Sequence, residues 1–445
     1  MNKENVNKNV CLIKDCDRPT HKKSNCCIFH ASAKEKTERE FRETLKEYVN
    51  IIKDEDKDYD FKGFVFIGII NFREDLSITI FKNANFGRAT FKGSVNFGKI
   101  TFKGHANFRE ATFKRYADFG KATFKEHANF KEAIFEGSAG FEEATFEVYA
   151  DFRKATFERY ADFRKATFKG HTEFMGANFK GKADFVKATF EGSANFGKAT
   201  FEDDADFRLK YFARVTHFSR IKVFSGKKLF IRLNNKGGKI SFERAYLENV
   251  YLNVELNEGV VIDFTDTLLR NTYIQREQIE NHILQEKKEE YLNANKIFLL
   301  LKNNFHSIGK YKDESWAFKK EKDMERKDNC HFKSLHKWLW SCVLNGIFGY
   351  GEQPVKVIIS AMSVILIFTF LFMSSGISNV DIDRITTKNF FDCIYFSTVT
   401  FTTLGYGDFR PLEGSGRILA GTEAFIGAFM MALFVYTFAR RTGGR

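Results

Sequence analysis

Membrane-length apolar runs are missing from the first three quarters of this 445-residue chain. With 29% of residues charged, most of the chain is expected to be soluble in water. The N-terminal stretch 1–60 is polar, so no secretory leader is read there. The N-terminal half is therefore expected in a reducing, cytosolic setting, where disulfides are disfavoured; the seven cysteines are also an odd number. Proline is scarce, with only Pro19, Pro354 and Pro411, and the last two flank apolar stretches. No nucleotide-binding glycine loop and no nucleophile–base constellation is legible, so the chain is read as not an enzyme. The net charge is +13. A nucleic-acid partner is one reading of that charge, but a basic surface facing anionic lipid headgroups is preferred, and no nucleic acid is expected.

What is present divides into six segments. Residues 1–34 are polar and cysteine-rich. In 35–60, Phe41, Leu45, Tyr48 and Ile52 fall at helical spacing and predict an amphipathic helix, ended by the aspartate-rich stretch 54–60. Residues 61–274 are dominated by a repeat, 275–337 by charged helical sequence, 338–354 by an apolar stretch with Trp338 and Trp340, and 355–445 by two long apolar runs.

From Val95 to Phe212 the pattern A-[D/N]-F-x-K-A-T-F-x-x-x recurs about every 11 residues. One slot holds Phe at every repeat from Phe97 to Phe207, and a second Phe or its equivalent follows five positions later. An 11-residue period can signal a helical supercoil. Here the Ala and Phe positions would scatter around a helix instead of forming a stripe. Strand alternation fits: Ala and Phe inward, Asp or Asn outward, with Gly104, Gly137 and Gly170 in the spacer where a turn is wanted. The pattern resembles the pentapeptide-repeat family, although spacings of five and six alternate here. The resemblance implies a right-handed quadrilateral β-solenoid with stacked central Phe residues. Two repeats per coil would make the strict region a rod roughly 25 Å long. Looser repeats extend it through Phe81, Phe86 and Phe91 before and Phe242, Leu247 and Leu252 after. The bland reading is a rod or spacer; sensing of an unknown cytoplasmic ligand or protein is the other. Beyond it, two helices around Gly309 predict a hairpin that couples the solenoid to the apolar C-terminal region.

Val355–Ile377 and Arg417–Ala439 are each long and apolar enough to span a bilayer. Asn389–Thr402 is too short to span and suits a re-entrant helix. Directly after it stands Thr402-Thr403-Leu404-Gly405-Tyr406-Gly407-Asp408. A second Gly-Tyr-Gly at 349–351 lacks the preceding threonine and precedes both spans, so it reads as a turn. Residues 338–445 resemble two-transmembrane potassium channels. The resemblance implies a homotetramer in a lipid bilayer with K⁺ as the permeant ion. Thr403, Leu404, Gly405 and Tyr406 would supply a selectivity filter's carbonyls, with the Thr403 hydroxyl completing the inner site and Gly407 and Asp408 shaping the outer mouth. Leu404 stands where valine or isoleucine is more usual, and its side chain is expected against the re-entrant helix. Gly427 matches a bending point of the inner helix, or else a packing glycine. Glu423, an intramembrane carboxylate, is expected behind the filter, either functional or as a polar anchor. Competing readings are a nonselective cation channel and a membrane-anchored solenoid scaffold with a non-conducting pore.

Lys319, Lys320, Lys322, Arg326, Lys327, Lys333 and Lys337 precede the first span, and Arg440, Arg441 and Arg445 follow the second. The excess places both termini in the cytoplasm and the chain in the plasma membrane as a multi-pass protein. Trp338 and Trp340 suggest an interfacial helix. No helix carries arginine at every third position, so no voltage sensor is expected. The sequence ends soon after the second span, at Arg445, and regulation is expected through the N-terminal side.

Cys11, Cys16, Cys27 and His30 have the ligand types and the closing C-x-x-H of a small zinc site, with His21 and Cys26 as spares. Structural Zn²⁺ is the first reading, unliganded thiols the second and redox sensing the third.

Overall fold

This computed structural model of the protein describes residues 10–13, 16–22, 24–212, 215–233, 237–332, 335–380, 386–412 and 414–442. Lys333 and Arg445, counted above among the flanking cations, lie outside the described residues. Contacts divide the chain into two units, residues 1–293 with 303–308, and residues 294–302 with 309–445.

The first unit is a four-faced β-solenoid. Its strands are mostly two residues long, and they stack in parallel into faces of 10, 10, 9 and 7 strands. In the strict region each strand pairs with its equivalent two repeats on, as Thr112 with Ile134 and Phe113 with Phe135. Nine steps of about 4.8 Å carry a ten-stranded face about 43 Å, beyond the strict repeats. In the strict region the alternation of five and six residues places one Phe inside at each side of a coil, while Val223 and Leu247 take that place further on. Phe108 stacks on Phe130 at 4.8 Å and 2°, and Phe113 on Phe135 at 4.7 Å and 4°. Neighbouring columns meet edge-on, as Phe108 does Phe119 at 5.3 Å and 86°. Strand spacing thus fixes ring spacing. Each buried Phe contributes on the order of 2–3 kcal/mol of transfer free energy.

Two expectations need correction. The Asp and Asn of the repeat do not simply face solvent: Asp151, Asp162, Asp184 and Asp206 are buried. Their carboxylates accept from the backbone N–H two residues on, as Asp162 does from Arg164 at 3.0 Å, and Arg164 also clasps the same carboxylate at 2.7–2.8 Å. Asn107 caps Arg109 in the same way at 3.1 Å. An Asx turn therefore ends one side of the repeats that carry Asp or Asn there; Gly140 and Glu173 interrupt the series. The left-handed turn residues are also not the spacer glycines. They are charged side chains, such as Lys121, Glu132, Glu143 and Lys154, at φ of 57–59°. The spacer glycines allow close approach between coils: a Cβ on Gly170 would lie 1.3 Å from the Val148 carbonyl oxygen.

Both solenoid ends are covered. Helix Glu38–Asp54, opened by a Thr37/Glu40 capping box, buries Phe41, Leu45, Val49 and Ile52. At the other end Asn304 bonds the backbone of Thr272 in both directions, at 2.9 and 2.8 Å. A strand end buried there would otherwise leave polar groups unpaired.

In the second unit, Gly309 at φ 71° turns the chain into helix Tyr311–Phe332. Phe298 meets Trp316 edge-on at 5.7 Å, and Lys302 pairs with Glu321 at 2.7 Å, so the expected hairpin forms. Helix Leu335–Phe348 comes next, then a 3₁₀ turn at Gly349–Gly351 with Tyr350 left-handed at φ 58°, the turn expected for that Gly-Tyr-Gly. Helices Pro354–Ser375 and Ser415–Ala439 are long and apolar enough to cross a membrane. Between them lies the short helix Phe390–Phe401. A three-stranded antiparallel sheet of Ile377–Asn379, Thr386–Thr387 and Phe409–Pro411, unforeseen in the sequence, ties the end of the first long helix to the segment after Asp408.

Candidate functional site

The short helix starts where Asn389 Oδ1 accepts from Phe391 N at 3.3 Å. Its apolar face packs between the two long helices: Phe368, Phe372, Cys393 and Phe396 form one buried cluster, and Val357, Phe401 and Met430 another. The helix ends in two reverse bonds, Thr403 N to Thr400 O at 3.1 Å and Leu404 N to Val399 O at 3.0 Å. That pairing is a Schellman closure, which normally takes glycine at its left-handed residue. Here the residue is Thr403, at φ 57°. A β-branched residue in that region is strained, and such strain concentrates at functional sites.

Positive φ recurs at alternate positions, Thr403 (57°), Gly405 (55°) and Gly407 (85°), with Leu404 and Tyr406 outside that region. Residues 403–407 are exposed within the single chain. Leu404 is 61% exposed, so its own helix does not cover it as expected; Tyr406 is 68% exposed. After the loop, the Asp408 carbonyl accepts from Val380 N at 2.8 Å, and its carboxylate accepts from Phe409 N at 3.0 Å.

Behind the loop, Glu423 is fully buried and hydrogen-bonds the Ser397 hydroxyl of the short helix. Ser397 also reaches the Ile365 carbonyl at 2.9 Å, so three helices meet at one hydroxyl. One turn on, Gly427 lies against the end of the short helix: a Cβ there would be 2.0 Å from the Phe401 carbonyl oxygen. The sequence marks Glu423 and Gly427 but neither Ser397 nor Phe401 as a partner. One hydroxyl in a threonine- and serine-bearing helix carries no label until the helices pack.

Residues 358–443 match the family described as an ion channel. Residues 86–134, 130–177 and 163–209 match pentapeptide repeats. The chain is a pentapeptide-repeat β-solenoid fused to an ion-channel domain. Over 79 residues, 18% of the chain, it is 38% identical to "Probable potassium channel protein 2" of Methanocaldococcus jannaschii, covering 21% of that protein. Over 49 residues, 11% of the chain, it is 43% identical to "Two pore potassium channel a" of Oryza sativa subsp. japonica, covering 14% of it. The chain thus spans about a fifth or less of the length of these curated relatives. No solved structure matches it significantly.

In the solenoid unit, the ligand atoms of Cys11, Cys16, Cys27 and His30 all lie within 4.8 Å of one another. His21 and Cys26 are not in that group.

Proposed function

We propose that four copies of the chain assemble a potassium-selective channel in the plasma membrane, with both termini and the solenoid on the cytoplasmic side. The observation that carries this reading is the alternating left-handed backbone of Thr403, Gly405 and Gly407, held at the C-terminus of a short helix between two membrane-length helices. Alternating handedness turns successive peptide planes so that carbonyls can line one side of a ribbon, as stripping a potassium ion of water requires. One exposed strand cannot surround an ion. Exposed Leu404 and Tyr406 are what symmetric neighbours would cover.

On this reading Thr403, Leu404, Gly405 and Tyr406 provide carbonyl oxygens, and the Thr403 hydroxyl adds an inner ring. Gly407 and Asp408 form the outer mouth. Glu423 anchors the short helix through Ser397. The cation excess beside the long helices supports the topology. The solenoid reads an unknown cytoplasmic ligand or protein; supporting this, Gly98, Gly120 and Gly140 leave a surface recess of about 640 Å³ beside Tyr116, Asp118 and Glu142. Leu404, in place of the more usual valine or isoleucine, supports a second reading, a nonselective cation channel.

Reconstituted protein is expected to pass K⁺, with barium blocking the flux and Gly405→Ala abolishing it, because a Cβ at φ 55° is strained. A well-folded tetramer without flux would overturn the proposal. Equal permeability to K⁺ and Na⁺ in reversal-potential measurements would favour the second reading.

A further inference from the structure

The solenoid's first coil needs a cover, because a bare coil leaves unpaired strand edges and an exposed aromatic core. Part of the cover is segment 28–30. Phe29 stacks on Phe64 at 4.5 Å and 6°, extending the Phe column by one ring. Val65 N donates to Phe29 O at 2.8 Å, extending the strand ladder. Lys36 Nζ, buried, donates to the carbonyls of Ile28 and Val65 at 2.7 and 2.6 Å. The residues before this ledge have too few apolar side chains to hold themselves in place, the circumstance in which small folds rely on a metal or a cross-link.

Three of the distances among the four gathered side chains lie near those of a tetrahedral metal site, and all lie within 4.8 Å. Cys16 Sγ is 3.8 Å from Cys27 Sγ. His30 Nδ1 is 3.2 Å from Cys27 Sγ and 3.5 Å from Cys11 Sγ. A tetrahedron with Zn–S of about 2.3 Å and Zn–N of about 2.05 Å has S···S edges of about 3.8 Å and S···N edges of about 3.6 Å. One sulfur also has a side-chain donor: Arg18 Nη1 donates to Cys16 Sγ at 3.8 Å. Such an N–H···S bond stabilises a thiolate bound to a cation. The far nitrogen of the imidazole, His30 Nε2, lies 3.0 Å from the Lys62 carbonyl oxygen of the first coil. Donation there fixes Nδ1 as the free ligand atom, the usual outer partner of a metal-bound histidine.

We propose that Cys11, Cys16, Cys27 and His30 bind one structural Zn²⁺ that fastens the N-terminal segment as the cap of the solenoid, with His30 joining the metal to the first coil. This role is independent of ion conduction. The other readings of these thiols, free or redox-active, become outcomes of the test.

Full-length protein, purified in detergent under reducing conditions without chelator, is expected to carry about one zinc per chain by elemental mass spectrometry. Cys26→Ser is expected to keep the metal, and Cys27→Ser or His30→Ala to lose most of it. Cobalt replacement in the unaltered protein should give the intense visible bands of a tetrahedral thiolate site. It tests the site even where a variant does not fold. Chelation should raise hydrogen exchange in residues 59–72 while leaving coils beyond Phe130 protected. A folded, reduced protein that takes up neither zinc nor cobalt would overturn the proposal. So would a Cys16–Cys27 disulfide in the isolated protein, or exchange in 59–72 that metal removal does not change.

Discussion

At the scale of single residues, the channel-like region depends on two contacts that join helices. The sequence reads Gly427 as a candidate bending point, but the Phe401 carbonyl against its Cα is a sufficient reason of another kind. Gly427→Ala must separate the second long helix from the short helix whose end presents residues 403–407. Forcing a methyl into such a contact costs on the order of 1–3 kcal/mol. The expected outcome is a lower K⁺/Na⁺ permeability ratio or loss of flux. A hinge role alone would leave the ratio unchanged and alter only open probability, which single-channel recording separates. Ser397 is the smaller half of the other contact. Its hydroxyl serves both Glu423 and Ile365, so its loss unseats two helices at once.

At the scale of elements, the repeat is a device for ending strands every few residues without leaving polar groups unpaired. Asp and Asn cap the next turn, arginines such as Arg164 neutralise the buried carboxylate, and the ring columns fill the centre. Near the C-terminal end the same position is Asp263, whose carboxylate accepts from Thr265 N and Oγ1 at 3.1 and 2.6 Å and from Gln285 at 2.8 Å. It also pairs with Lys239 at 2.8 Å. Burial pushes its pKa up, but the Lys239, Thr265 and Gln285 bonds outweigh burial and hold it at about 2. A carboxylate depressed in the folded state adds stability that is present above its unfolded pKa of about 3.9 and is lost as pH falls through about 2. The gap corresponds to roughly 2–3 kcal/mol. Hydrogen exchange in residues 260–285 is therefore expected to rise between about pH 4 and about pH 2. Asp263→Asn should raise exchange at neutral pH and flatten that step.

At the scale of the molecule, the residues proposed to choose the ion and the repeats proposed to sense a signal lie in different contact units. Residues 403–408 and the helices that hold them belong to the second unit. Removing residues 1–275 is accordingly expected to leave the reversal potential in mixed K⁺ and Na⁺ unchanged. A shift of open probability in the same recordings would mark the solenoid as an input. No change in either quantity would make it a spacer. Light scattering of the intact protein should give a mass of about four times 51.6 kDa after subtraction of detergent.

Much of this architecture is written in local pattern. The Phe at alternating spacings of five and six determines a four-sided coil, because a ring must return to the axis at each side. Two apolar runs and a capped 12-residue helix between them follow from length and composition, and the helix lies at Phe390–Phe401 within the Asn389–Thr402 stretch expected for it. Other features depend on chain segments that meet only after folding. The first coil, in which Tyr59 pairs with Ala84, is longer than those of the strict region, because Leu76 and Ile78 are tucked inside an insertion there. Whether Asp162 faces water or a backbone N–H depends on the turn beside it. Whether Gly427 bends or packs depends on the Phe401 carbonyl, which belongs to a different helix. The spacing of Cys11, Cys16, Cys27 and His30 names a ligand set. Only the folded chain brings those atoms together and sets His30 against Lys62. Periodicity is a property of neighbours in sequence, and so it was legible; close approach belongs to neighbours in space, which tertiary packing alone selects.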